Sequence, residues 1–140
     1  MLFAAIDYYQ YKNRKGKYSH EVLTNFGLRK ACESEFPNWK DVKLGGILFV
    51  HTANSRLSWL VMYFENIPIS HVAMLDDGGT VHELTTQGYA RHSLNNYFNG
   101  ASYLKITNVK LRRSEAETRA WIEKKFRRHL QLANRIFNWF

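Results

Sequence analysis

An α+β fold, an antiparallel sheet of about four or five strands with helices before and after it, is predicted by three observations. The segment Ile69-Ser70-His71-Val72-Ala73-Met74-Leu75-Asp76-Asp77-Gly78-Gly79-Thr80-Val81-His82-Glu83-Leu84 reads as two short apolar strands joined by an Asp/Gly turn. Two further runs are strand-like: the apolar Ile47-Leu48-Phe49-Val50 and the alternating Tyr103 to Val109. Helix-start chemistry stands on both sides of them, at Ser19 and at Ser114-Glu115-Ala116-Glu117.

Taken in order, residues 1–18 are aromatic and then basic, ending in YKNRKGKY, and are expected to form a peripheral segment. A helix is expected from Ser19 to about Phe36, with Val22, Leu23, Phe26 and Ala31 on its apolar side. Gly27 weakens it and Pro37 ends it. Gly45-Gly46 marks a turn into the first strand. Ser55 to Phe64, SRLSWLVMYF, suits a short buried helix capped at Asn54 or Ser55, with a strand as the alternative, and Asn66-Ile67-Pro68 breaks it. TTQGYARHSLNNYFNG carries turn and loop chemistry around a helical turn from Ser93 to Phe98. The last helix is expected from Glu115 to about Asn134, with Trp121, Ile122, Phe126, Leu130 and Ala133 as its apolar stripe. Its other side holds Lys124, Lys125, Arg127, Arg128 and His129. That side reads first as a solvated face, with an anionic-surface helix as the alternative.

Composition bounds the function classes. At 140 residues the chain suits one domain, 1–140, and its 45% apolar and 23% charged residues are ordinary globular usage. Eight Tyr, nine Phe and four Trp supply ring area that must be buried or face a partner. The single cysteine, Cys32, excludes an intrachain disulfide framework and a Cys-rich zinc site. No apolar run reaches the length of a spanning helix, and the order of apolar and basic residues at the start is not that of a secretory signal. A cytoplasmic chain is the default expectation. The excess of 20 Lys+Arg over 12 Asp+Glu, formally +8, favours an anionic surface as partner, whether phospholipid, wall polymer or nucleic acid. No nucleic-acid motif supports the last of these, so a nucleic-acid partner is not expected.

The hairpin carries the chemistry. If Asp76-Asp77-Gly78 is a three-residue loop, Leu75 pairs with Gly79 and His71 stands opposite Glu83 on one face. If Asp77-Gly78 is a two-residue turn, the register moves by one, His71 faces Leu84, and Glu83 points the other way. A neutral imidazole held by a carboxylate has a fixed tautomer and raised basicity, as a base that activates a nucleophile requires. From spacing alone the pair reads first as two polar residues of a hairpin. His82 should face away from Glu83. His51, His71, His82 and His92 lack the tight spacings of zinc ligands, so no metal and no cofactor is expected.

The pieces Gly45-Gly46-Ile47-Leu48-Phe49-Val50, SRLSWLV, Ser70-His71-Val72-Ala73-Met74 and Val81-His82-Glu83-Leu84 together resemble circularly permuted NlpC-type papain-like hydrolases, the YiiX/YaeF-like group. The resemblance covers about Leu44 to Val109, and the helix after Ser114 fits the same order. It implies a permuted papain-like domain that performs thiol-dependent hydrolysis or acyl transfer on an amide or ester, in peptidoglycan peptides or lipids. His71 would be the catalytic histidine and Glu83 its orienting residue. Gly46 stands where the family usually has Asp, and the family's nucleophilic cysteine comes after the long helix, whereas Cys32 is the only cysteine here. The resemblance therefore implies a nucleophile from a C-terminal segment or a partner chain. Cys32, near the end of its expected helix and followed by Glu33 and Glu35, reads as structural. Ser70, Ser93 and Ser102 lack a nucleophile-elbow pattern. The reading from a different class is an inert binding module with a basic, aromatic surface.

Overall fold

A computed structural model describes residues 18–52, 56–85 and 87–137. The expected segment 1–18 lies outside it except for Tyr18, as do the expected caps Asn54 and Ser55. The fold is α+β, built on one antiparallel sheet of six strands rather than four or five. In chain order the strands are β1 (Arg29–Lys30), β2 (Gly46–His51), β3 (His71–Asp76), β4 (Thr80–Thr85), β5 (Gly88–Ser93) and β6 (Tyr103–Asn108). Their spatial order is β1-β6-β2-β3-β4-β5. Strands β2 to β5 form a meander, and β6 returns to pair on the far side of β2.

The first helix, α1 (His20–Asn25), is far shorter than the expected Ser19–Phe36. Ser19 does cap it, accepting from the Val22 N–H at 3.3 Å. Gly27, at φ +82°, does not weaken a longer helix but ends this one. Its N–H donates to Thr24 O at 2.9 Å and that of Leu28 to Leu23 O at 3.0 Å, the paired closing bonds of a Schellman ending. Leu23 and Leu28, both buried, supply the apolar contact that accompanies it. The chain freed by that stop makes β1 and then contributes Ala31 and Trp39 to the core.

α2 (Arg56–Glu65) forms where SRLSWLVMYF predicts a helix, and Asn66 at φ +54° turns the chain out of it. α3 (Glu115–Phe137) begins as predicted, with Ser114 Oγ accepting from the Glu117 N–H at 3.2 Å, and runs three residues past Asn134. Of its expected stripe, Ile122 is buried and Phe126 half-buried, but Trp121 is exposed; the side chains of Leu130 and Ala133 lie outside the described residues.

The β3–β4 turn follows neither register considered above. Asp76 pairs with Thr80 and Leu75 with Val81, so the loop is Asp77-Gly78-Gly79. Relative to the three-residue expectation the pairing moves by two positions in sum, which preserves side-chain parity. The loop is fixed from outside: Gly78 N–H donates to Val42 O at 2.9 Å, and Asp77 Oδ1 accepts from the Leu44 N–H at 3.0 Å. Gly79, at φ +74°, lies so close to Trp39 that a Cβ would stand 2.7 Å from both its ring Cε3 and its carbonyl oxygen. Only glycine fits there.

The sheet has two unlike faces. One carries Leu48, Val50, Ala73, Leu75, Val81 and Leu104, buried with Ala31, Trp39 and Leu94 as the core. The other carries Asp76 and His82 beneath α3. Arg119 of α3 donates to both Asp76 oxygens, at 2.6 and 2.7 Å, and to Asp77 Oδ2 at 2.7 Å. His82 donates from Nε2 to Asp76 Oδ2 at 3.1 Å, which leaves Nδ1 to accept from the Tyr89 hydroxyl. Burial alone would raise the Asp76 pKa; the Asp77 N–H, Arg119 and His82 outweigh it and hold the carboxyl below its usual range. α3 is thus clasped to the sheet by a satisfied polar chain as well as by Ile122 and Phe126.

Candidate functional site

Glu83 is the centre of the second polar cluster, on the core face at the edge of the apolar layer. Strand alternation puts it there: Val81 and Glu83 share a face, and Val81 faces Leu75 across the hairpin. His71 lies on that same face, opposite Val50 of β2. In the shifted register Glu83 is diagonal to His71 rather than directly across, a separation that two long side chains bridge. His71 Nε2 donates to Glu83 Oε2 at 2.9 Å.

Two further residues converge on the carboxylate. His92 Nε2 donates to Glu83 Oε1 at 2.7 Å, and the Tyr97 hydroxyl donates to Oε2. His92 also directs Nδ1 at its neighbour's carbonyl, Ser93 O, at 3.0 Å. Both of its ring nitrogens therefore face acceptors, and only the imidazolium supplies two N–H donors. Burial alone would lower the His92 pKa; the Ser93 carbonyl and Glu83 outweigh it and raise the value. Burial would likewise raise Glu83, but the hydrogen bonds from His71, Tyr97 and His92 outweigh it and bring the value down to about 2. Tyr97 is pushed well above the ordinary phenol value, first by burial and then by the adjacent Glu83, so it stays a donor.

This arrangement assigns the His71 tautomer. With Nε2–H committed to a carboxylate, Nδ1 holds the lone pair, and among the described residues it has no hydrogen-bond partner. The His71 side chain is 31% exposed, against 8% for Glu83. It borders a cleft of about 290 Å³ whose walls include Thr52, Ser58, Val61, Ser70, Leu84 and Tyr97. His71 thus combines an anchored Nε2, a second ring nitrogen able to accept a proton, and a place in the lining of the cleft.

The other candidate side chains do not meet His71. Cys32 follows β1, which is separated from β3 by β6 and β2, so three strand spacings put it roughly 14 Å away. Its thiol contacts Ser34 Oγ at 3.2 Å. The long helix expected to carry it is replaced by the turn after β1. Ser70 lines the cleft, but its Oγ donates to Val50 O and accepts from Thr52 N–H, both at 3.2 Å. Ser102 is buried and Ser93 closes β5. His82 points to the opposite face, as alternation requires. His51 is buried with Nδ1 donating to Pro68 O at 2.9 Å, and burial lowers its pKa despite that bond. The four histidines weighed together above thus divide, with only His71 and His92 sharing a carboxylate.

His92 and Tyr97 are absent from the site as read from sequence. Both follow from β5, where Gly88 to Ser93 forms a strand that the loop-like TTQGYARHS conceals. The usable signal is the short separation between Thr85 and Gly88, which are paired. From that turn, His92 falls opposite Val81 and diagonal to Glu83. No family model, curated protein or solved structure matches the chain.

Proposed function

We propose that His71 and Glu83 are the general-base half of a thiol-dependent hydrolase or acyltransferase site acting on an amide or ester, in peptidoglycan peptides or lipids. The observation that carries this reading is the 2.9 Å bond from His71 Nε2 to a buried, ionised Glu83, with the His71 ring lining a cleft. In the reaction a thiol entering the cleft gives its proton to Nδ1, and the thiolate attacks the substrate carbonyl carbon. The imidazolium so formed is stabilised by Glu83 and returns the proton to the departing amine or alcohol, leaving an acyl thioester for water to cleave. His92 and Tyr97 are positioning residues that hold the Glu83 carboxylate in plane for His71. The resemblance of the strand–helix–hairpin sequence to permuted NlpC-type papain-like hydrolases supports the same assignment of roles and suggests that fold.

The thiol is the part this chain does not bring to His71, since its one cysteine is three strands away. The reading therefore places it on a further segment or a partner chain. The same observation favours a second reading, an inert binding module that keeps the hairpin and a basic surface. Supplying a small thiol together with an amide- or ester-based acyl donor separates the two. His71-dependent thiolysis, lost in His71→Ala and reduced in Glu83→Gln, is the expected result. Equal rates for the folded wild-type chain and His71→Ala would favour the inert module.

A further inference from the structure

We propose that the surface made by the β6–α3 connection and the outward side of α3 docks onto an anionic phospholipid bilayer. Val109, Leu111 and Trp121 line an open cleft of about 480 Å³ together with Lys110, Arg112 and Arg113. Val109 is 48% and Trp121 47% exposed, an aliphatic and an indole side by side in solvent. Packing does not require either, because Ile122 and Phe126 already secure the helix from another side. At about 100° per residue, Trp121, Lys124, Lys125 and Arg128 fall within a sector of about 100° on α3. Lys125 Nζ lies 5.6 Å from the Trp121 ring centroid.

Three cations thus line the apolar cleft, and three more share the helix sector of Trp121. The acidic residues of this stretch are Glu115 and Glu117 in the first turn of the helix and Glu123. Glu123 stands 4.0 Å from Arg127, outside the sector, and only Glu117 falls within it. A Trp-and-aliphatic centre ringed by Lys and Arg has the chemistry of a membrane interface: the indole sits at headgroup depth while the cations meet lipid phosphate and carboxylate. Among the described residues no helix is long and apolar enough to cross a membrane, so the contact is one of surface docking. A nucleic acid fits less well. Base stacking favours an open aromatic face, whereas Lys125 lies over the Trp121 ring and aliphatic Val109 and Leu111 share its cleft.

The geometry also sets the docked orientation. Val109 leaves the sheet at the end where Gly46 pairs with Asn108, while His71 pairs with Val50, about 14 Å further along β2. α3 covers the sheet face opposite Glu83. A docked chain therefore holds the His71 cleft away from the bilayer and open to solution, so this inference stands or falls independently of the hydrolase reading.

The test is co-sedimentation of the whole chain with phosphatidylcholine vesicles, with and without about 30% phosphatidylserine, at about 50 and about 300 mM salt. Binding to the anionic vesicles alone, weakened by salt, is expected. Each basic residue near such a surface contributes about fivefold, so Arg112→Glu/Arg113→Glu should weaken binding on the order of 25-fold or more. Trp121→Ala should weaken it roughly tenfold. Both variants change exposed side chains, and circular dichroism checks that they fold. Equal binding to neutral vesicles, no binding to anionic ones, or folded variants that bind like wild type would overturn the proposal. So would a single-stranded oligonucleotide that binds more tightly than the anionic vesicles and depends on the same residues.

Discussion

Replacing Glu83 by Gln keeps the side chain's shape and removes the charge that three donors share. Glu83 accepts from His71, His92 and Tyr97 in a site where its side chain is 8% exposed, so solvent screens little of the loss. Its carboxyl is lowered from 4.5 to about 2, a displacement that corresponds to about 3 kcal/mol of native-state stabilisation. The amide also turns an NH2 toward at least one N–H or O–H donor, so the cost is not offset by a new bond. The sign follows from the depressed value. This stability is present above the unfolded pKa and is lost as pH falls through the folded one. Urea unfolding should therefore show Glu83→Gln less stable by about 3 kcal/mol at pH near 6 and by only about 1 kcal/mol at pH near 3. His92 limits the other side: its folded pKa is raised, so its share is complete below 6.5 and disappears as pH rises through the folded value. A difference under about 1 kcal/mol at pH near 6, or one that does not shrink in acid, would refute the reasoning.

Three other outcomes are expected. Gly79→Ala should destabilise the chain by about 2–4 kcal/mol in thermal or urea unfolding, because its Cβ would strike the Trp39 ring and backbone at a positive φ. Gly27→Ala meets only the flexible end of Lys105, at 3.3 Å, and should cost about 1–2 kcal/mol from the left-handed backbone alone. Arg119→Leu leaves the buried Asp76 carboxylate with His82 and one backbone N–H. Because Arg119 is itself 39% exposed, the loss should be about 1–3 kcal/mol, with faster hydrogen exchange in α3.

The candidate site was legible where side-chain period alone decides and hidden where tertiary contacts decide. His71 and Glu83 share a face in any register of the same parity, so the pair survives an incorrect choice of loop residues. The loop itself is chosen by Val42, Leu44 and Trp39, which lie more than thirty residues earlier and have no local signature in the hairpin. β5 has no strand signature because Tyr89, Arg91 and His92 give an edge strand no apolar alternation, so neither His92 nor Tyr97 is placed at the site by sequence pattern. Propensity makes Gly27 only a weak helix former and so predicts a long first helix, whereas its left-handed geometry is a stop accompanied by the burial of Leu23 and Leu28.

His82 and Glu83, adjacent in β4, belong to separate polar systems on opposite sides of one sheet. A slip of β4 by a single residue would exchange them. Glu83 would then be driven toward Asp76 beneath α3, carboxylate against carboxylate, and His71 would lose its acceptor. The mispaired register thus loses favourable pairings on both faces at once, so this dipeptide favours the native alignment of the central hairpin.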